Sequence, residues 1–415
     1  MNDIFFFGEN KPLFYPNQPL KIIKPIQFKF ENETQIKQIS TGQFATIFLF
    51  KDGKAIQYLK EEKDLKQNIE KIQIEENIQK VTVGWRNEAI LTIEGNVFAK
   101  GKDINSENPN EFINISSLIE DKNDRIIEDI VCGSSSIYLL TSNQNAYGIG
   151  SNYYGQLGFQ IAKKEEKPIL MMKNVSKIFS GNYSTSVFLL NSNQELFGCG
   201  YNFFGRLGIK TLEGQFIAWF HSIMLIEDEN ENENPKRKLY SCGCYHYNGL
   251  GQNEDVNEFT EIKSSLFEND NILDFSARGN HTLILTSKGK LIGFGSNFSG
   301  QLGIEKIEKQ NFPIQIELPK LRFNEDISNY HVHCGLERSF LYYSPSFSNL
   351  EEDLIKLYQR KEFCNISFKT ENGEIIEAHK LILKYRLNQN QNEIEKLQEI
   401  ISKINQFKNQ IKYLK

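Results

Sequence analysis

The sequence predicts an all-β protein, a closed ring of seven β-sheet blades, and three observations carry that prediction. Four 12-residue stretches repeat one another: Tyr147 to Gly158 (YGIGSNYYGQLG), Phe197 to Gly208 (FGCGYNFFGRLG), Tyr240 to Gly251 (YSCGCYHYNGLG) and Ile292 to Gly303 (IGFGSNFSGQLG). Their final glycines lie 50, 43 and 52 residues apart, and a period of that size is the trace of stacked supersecondary units. A hairpin pattern recurs seven times in phase with this period, and the two ends of the repeat region complement each other.

The hairpins are read first. Gly133 leads into IYLLTSNQNAY, Gly181 into VFLLNSNQELF and Gly279 into HTLILTSKGKLIGF. Two strands rich in β-branched and aromatic residues, joined by a few Ser, Asn and Gly, form a tight antiparallel pair. Where the 12-mer has decayed the hairpin persists, as GQFATIFLFKDGKAIQYL from Gly42 and GWRNEAILTIEGNVFAKG from Gly84. A further one, AWFHSIMLIEDENENENPKRKLYSCG, has its turn stretched by an acidic insertion from Glu227 to Pro235. The seventh, GLERSFLYY after Gly335, lacks a second strand, while the N-terminus supplies an orphan: Phe5 to Asn10 (FFFGEN) matches Tyr147 to Asn152 (YGIGSN) position for position. If the first strand completes the last blade, no sheet edge stays open at the seam.

The repeated glycines read as architecture. Gly148 and Gly150, Gly198 and Gly200, and Gly293 and Gly295, with Gly243 in the fifth repeat, are expected where a side chain would strike the neighbouring blade or where a bulge needs positive φ. Gly158, Gly208, Gly251 and Gly303 close the repeated turns. Ser241 replaces the first glycine of the fifth pair, which predicts a looser blade there.

These residues resemble the repeat of the regulator of chromosome condensation family, whose members are seven-bladed β-propellers with a terminal GQLG turn. The resemblance covers residues 1–345, strong in four repeats and decayed in three. It implies that His281 in GNHTLIL, and His221 in the aligned WFHSIML, brace adjacent blades. With only Trp85 and Trp219 in the chain, the tryptophan-based light sensor of some related propellers is not expected.

After Ser344-Pro345-Ser346 the pattern changes. Residues 350–386 read as a helix, a strand pair around Asn372-Gly373 and a second helix start, similar to the opening of a BTB domain, with Cys364-Asn365-Ile366 and His379-Lys380-Leu381-Ile382-Leu383 at its motif positions. Asn365 stands where the family has the acidic partner of a charged dimer pocket, while Lys380 keeps the basic one. The resemblance spans fewer than forty residues. From Leu387 onward Ile394, Leu397, Ile401, Ile404 and Ile411 follow a helical spacing, a tail for partner binding or for packing on the BTB-like segment.

Composition narrows the function classes. With 39% apolar and 24% charged residues and a net charge of −5, the chain has no general attraction for nucleic acid or anionic membrane. No run approaches the roughly 18 apolar residues of a spanning helix, and MNDIFFFGEN has no secretory leader pattern. An intracellular, more cytoplasmic than nuclear, setting is expected, and Cys132, Cys199, Cys242, Cys244, Cys334 and Cys364 are expected as reduced, mostly buried thiols. Asn-x-Ser/Thr matches such as Asn297-Phe298-Ser299 then carry no meaning. Lys236-Arg237-Lys238 reads as a solvated hairpin tip.

No catalytic constellation stands out from the repeat background, and no cofactor is expected. Cys242, Cys244 and His246 alternate along one strand, and His331, His333 and Cys334 cluster. Both read as ordinary blade positions rather than metal ligands. Two functions are consistent with this. The first is a noncatalytic interaction scaffold or adaptor, with partner-specific loops at 159–174, 209–216 and 305–327 and the C-terminal segment tethering it to a further protein such as a ligase cullin. The second, implied by the family resemblance, is guanine-nucleotide exchange on a Ran-type small GTPase. Nothing in the sequence fixes an oligomeric state.

Overall fold

The computed structural model describes residues 4–9, 21–28, 35–59, 68–159, 164–181, 184–202, 205, 207–208, 221–228, 236–243, 251, 255–268, 270–318, 327–344, 366–369 and 375–378. Strands β1 (Ile4–Glu9) and β2 (Lys21–Phe28) open the chain. Blade 1 holds β3 (Ile36–Thr41), β4 (Ala45–Phe50), β5 (Ala55–Leu59) and β6 (Asn68–Lys71). Blade 2 holds β7 (Ile78–Val83), β8 (Asn87–Thr92), β9 (Val97–Gly101) and β10 (Ile113–Asn114), and blade 3 holds β11 (Ile127–Cys132), β12 (Ser136–Thr141), β13 (Ala146–Ser151) and β14 (Lys164–Met172). Among the described residues blade 4 has three strands, β15 (Val175–Phe179), β16 (Ser186–Asn191) and β17 (Leu196–Gly200), and so has blade 5, β18 (His221–Asp228), β19 (Lys236–Gly243) and β20 (Val256–Glu261). Blade 6 holds β21 (Ile272–Arg278), β22 (His281–Thr286), β23 (Leu291–Gly295) and β24 (Gln310–Ile316). Blade 7 combines β25 (Tyr330–Cys334) and β26 (Arg338–Tyr343) with the two opening strands, in the order β2-β1-β26-β25.

The seventh sheet therefore closes the ring as the complementary ends require. Ile4 pairs with Tyr342, Phe6 with Phe340 and Gly8 with Arg338, antiparallel throughout. Leading strands of neighbouring blades touch one another, β21 with β25, β3 with β7 and β7 with β11, so they surround the axis and β2, β14 and β24 lie at the rim.

The second strand of each blade explains the long apolar runs. In β12 Ile137 and Leu139 enter the seam with blade 2, while Tyr138 and Leu140 enter the seam with blade 4. A strand buried on both faces reads as continuous hydrophobicity rather than alternation. Comparable cores fill the seams 1/2, 5/6, 6/7 and 7/1, and at the last of these Phe48 meets Phe340 edge-on at 5.8 Å.

The repeated glycines serve two ends. Gly150 has φ +100°, and a Cβ on it would lie 2.5 Å from the Ser135 carbonyl; Gly8, Gly200, Gly243 and Gly295 occupy the same slot with φ between +104° and +119°. Only glycine takes that conformation at low cost. The first glycine of each pair does not face the neighbouring blade as expected. A Cβ on Gly148 would meet Leu157 at 2.7 Å and Met171 at 2.8 Å, and one on Gly293 would meet Ile316 at 2.8 Å, all from the same blade's turn and outer strand. Gly158, Gly208, Gly251 and Gly303 close their turns at φ +80°, +69°, +67° and +67°. Ser241, in the fifth blade, is fully buried and paired with Thr260.

Residues Met1–Ser344 form one compact unit and Pro345–Lys415 another. In the second, β27 (Ile366–Lys369) and β28 (Ile375–Ala378) pair antiparallel around Asn372-Gly373. Cys364, Asn365, His379, Lys380 and the tail from 387 lie outside the described residues, and one hairpin does not establish a BTB fold.

Candidate functional site

The repeated 12-mer ends in a turn whose polar residues bond inward. Asn152 Oδ1 accepts the Leu157 N–H at 2.9 Å, and Gln156 accepts the Tyr154 N–H at 2.9 Å while donating to Ser151 Oγ at 3.2 Å. Blade 6 repeats the arrangement: Asn297 accepts from Leu302 at 2.8 Å, and Gln301 accepts from Ser299 at 2.9 Å. Asn297 also donates to the carbonyls of Ile304 and Lys306 and is fully buried, which removes it as a glycosylation acceptor. In blade 4, Asn202 accepts from Leu207 at 2.8 Å. Each turn is held by its own side chains, because a buried backbone N–H left without a partner costs about 1–3 kcal/mol.

What the turns present outward is apolar. Between the fixed Asn and Gln stand Tyr153 and Tyr154 in blade 3 and Phe298 in blade 6, all exposed. Tyr154 meets Tyr201 of the next turn edge-on at 4.8 Å. Strand direction places the connection between first and second strands on this same face of the ring. In blade 2 that connection carries Trp85, 37% exposed, with the Arg86 guanidinium 4.9 Å from its ring. The connections lock together from blade to blade: Trp85 and Arg86 donate their N–H groups to the Ser134 carbonyl, and Ser134 donates to Ser184. Aromatic side chains thus stand on a rigid rim, large in area and low in rotamer entropy.

Toward the axis, side chains of one inner strand bond the backbone of the next. The Val83 N–H donates to Ser40 Oγ, that of Cys132 to Thr82 Oγ1, that of Cys334 to Ser276 Oγ, and that of Thr41 to His333 Nε2, all at 3.0–3.1 Å. His333 is buried and its pKa is held well below 6.5 by burial first and then by the charge of Arg278 and by His281. His281 bonds Ser339 Oγ at 2.7 Å across seam 6/7, and since Ser339 gives its proton to the Gln301 carbonyl, His281 Nε2 is the donor. One level away Lys80 pairs with Asp129 at 2.5 Å, and Asp274 accepts the Val332 N–H at 3.0 Å with His331 at 3.4 Å.

These contacts dispose of the metal candidates that fall within the described residues. His331, His333 and Cys334 turn to three different partners, the last donating Sγ–H to the Ser276 carbonyl, and no cluster of metal-ligating residues occurs among the described residues. Cys244 and His246 lie outside them, as does the side chain of His221. Burial pushes the thiols of Cys132, Cys242 and Cys334 up to about 12, so they are protonated and unreactive. Lys236, Arg237 and Lys238 are not a hairpin tip. They lie in β19, where Lys236 pairs with Asp228, Arg237 with Glu227 and Lys238 with Ile226. Two of the three candidate loops also resolve differently: 159–174 contains β14 and 305–327 contains β24, while 209–216 falls outside the described residues.

A model of the regulator of chromosome condensation (RCC1) repeat matches residues 274–301, the stretch from β21 through the sixth hairpin into its turn. The ultraviolet-B receptor UVR8 of Arabidopsis thaliana is 34% identical over 97 residues, 23% of this chain and 21% of that protein. The serine/threonine-protein kinase Nek9 of Xenopus laevis is 24% identical over 256 residues, 59% of this chain and 23% of that protein. The chain thus spans about a fifth of the length of these relatives. Among solved structures, Prp20p of Saccharomyces cerevisiae has a TM-score of 0.66 at 15% identity, covering 84% of this chain and 92% of that one. The likeness to it is one of fold, a seven-bladed propeller carrying RCC1-type repeats.

Proposed function

We propose that the protein is a noncatalytic protein-binding scaffold whose turn-bearing face meets the partner. One observation carries this reading: the polar residues of the repeated turns are consumed in holding the turns, and the side chains left outward are Trp85, Tyr153, Tyr154 and Phe298. Protein contacts are dominated by a few such aromatic anchors. Prp20p, of the same fold, is described as binding Gsp1p and histones, which supports a protein ligand here. The adaptor form of the reading, in which the C-terminal segment recruits a cullin, rests on motif residues outside the described set.

The triple variant Trp85→Ala, Tyr154→Ala, Phe298→Ala tests the face. Affinity purification from cells should recover fewer partners with the variant than with its parent, at an unchanged melting temperature. Retention of every partner ends the reading.

The second reading is nucleotide exchange on a small GTPase, favoured by the binding of Prp20p to Gsp1p. A release assay over labelled small GTPases separates the two. Acceleration beyond about a hundredfold, or about 2.8 kcal/mol of barrier, marks an exchange factor, and none beyond the spontaneous rate marks a scaffold.

A further inference from the structure

Blade 4 has no outer strand among the described residues, and the chain runs short at that point. Twenty residues, 201–220, separate β17 from β18, against 27 to 42 at the other six junctions between successive hairpins. A full junction supplies an outer strand for one blade and an inner strand for the next. Twenty residues are seven fewer than the shortest junction that supplies both.

The second strand of the hairpin shows the consequence. Leu196 and Phe197 of β17 are 43% and 44% exposed. Their register equivalents beside an outer strand are covered: Ala146 and Tyr147 at 0% and 6%, Leu291 and Ile292 at 1% and 0%. The adjacent turn tells the same story. Gly208 packs against Phe259 of β20, and a Cβ on Gly303 would meet Pro25 of β2 at 3.2 Å, so these two turns rest on the next blade's outer strand. Gly158, the turn facing blade 4, has only Cys199 and Met171 near it, at 3.6 and 3.7 Å. A slot bounded by β17 and the turn 152–158 is left on the rim.

The sister blades say what fits the slot. The outer strands β2, β14 and β24 each contain a Pro-Ile dipeptide, Pro25-Ile26, Pro168-Ile169 and Pro313-Ile314, and no other proline of the chain precedes an isoleucine. The isoleucine pairs with Phe6, Gly148 or Gly293, one and the same slot in the hairpin. Proline is tolerated on an outermost strand because its missing N–H would point to solvent, and it stops further strands from adding. In blade 4 the matching residue is Gly198. The three atoms nearest a Cβ on it belong to Leu207 and Phe188, at 3.2–3.3 Å, and residues 201–220 contain no proline.

We propose that β17 accepts an extended segment of a partner polypeptide, added antiparallel as the fourth strand of blade 4, with a Pro-Ile dipeptide that sets its isoleucine opposite Gly198. The ladder of backbone hydrogen bonds supplies affinity, and the space over Gly198 supplies selectivity. This rim site borders the turn-bearing face at the Gly158 end of the turn 152–158 but takes its backbone bonds from β17, so a loss of face binding and a loss of strand addition are read separately.

The probe is a fluorescein-labelled peptide with the β2 sequence, KIIKPIQF, against KIIKDDQF, titrated into the full chain. Saturable binding at least about tenfold tighter for the first peptide is expected, with new amide protection at Leu196–Gly200 in hydrogen exchange. Phe197→Lys and, separately, Leu196→Lys should each abolish it while melting with the parent, since both side chains are exposed. The double face variant Trp85→Ala, Phe298→Ala, which leaves the turn 152–158 intact, should bind the peptide normally. Equal binding of the two peptides, or none up to about 1 mM, overturns the proposal. So does protection of Leu196–Gly200 before peptide is added, which would make a segment of this chain the occupant. A dimer in sedimentation equilibrium that Phe197→Lys dissolves would make it a second copy, and overturns the proposal equally.

Discussion

At the scale of single residues, the ladder around the axis is a set of neutral or paired groups, and His333 is its pH-sensitive member. Its Nε2 accepts the Thr41 N–H at 3.1 Å across the closing seam, which requires an unprotonated ring. Burial and the charge of Arg278 depress its pKa, so the folded state refuses a proton that the unfolded chain takes near 6.5. The contribution is fully present above about pH 6.5 and is lost as pH falls below it toward the depressed native value, at up to about 1.4 kcal/mol per pH unit. Melting temperatures of the parent should fall between pH 7 and 5 more steeply than those of His333→Gln, whose amide oxygen can accept the same N–H without titrating. Parallel profiles for the two proteins would assign the acid sensitivity elsewhere.

At the scale of elements, the central hairpins are the stable unit, and their turns differ in a way that predicts a gain. Gly53, Gly95 and Gly289 occupy the left-handed position of the turns in blades 1, 2 and 6, and Gln144 and Gln194 occupy it in blades 3 and 4, at φ 60° and 66°. The same bond closes each turn, as from the Gly95 N–H to the Thr92 carbonyl and from the Gln194 N–H to the Asn191 carbonyl. A non-glycine residue there costs about 1–2 kcal/mol, partly offset by the greater backbone entropy of an unfolded glycine. Gln194→Gly should therefore raise stability by about 0.5–1 kcal/mol in denaturant melts, and a loss would show that the glutamine side chain does more than occupy the turn. The hairpins were legible in the sequence because both faces of β12 and its equivalents are buried, leaving unbroken apolar runs. The outer strands were not: Pro168 and Pro313, with the charges of β14, read as loop, although proline at the rim is what protects a sheet edge. The inter-blade ladder was hidden too, since Ser40 and Val83 or Ser276 and Cys334 stand 43 and 58 positions apart and no local pattern joins them. The exposed turn aromatics sit inside the repeated motif, at its variable positions, where similarity draws the eye to the glycines instead.

At the scale of the whole molecule, the ring is a covalent chain closed by a noncovalent seam. Six blades have a central hairpin continuous in sequence, whereas in the seventh β1 reaches β26 across more than 300 residues. Loop-closure entropy must be met before those contacts form, so the seam is expected to assemble after the local hairpins. Three groups secure it. Phe6 stacks on Phe340 at 5.2 Å, Arg338 reaches Glu9 at 3.2 Å and Thr46 at 3.4 Å while nearly fully buried, and Thr41 is held by His333. Removing one partner of a buried ion pair leaves the other charge without compensation at a cost of about 3–5 kcal/mol, and a Phe6→Ala cavity costs a similar amount. A chain beginning at residue 29 loses β1 and β2 together and exposes the β26 edge with the apolar faces of seams 6/7 and 7/1. It should melt well below the full chain and recover when a synthetic peptide of residues 1–28 is added, because the missing strands are intact at both interfaces they would enter. A truncated chain that melts with its parent, or one that the peptide leaves unchanged, would mean that the blades stand without closure and that the paired ends of this sequence are not what holds the wheel together.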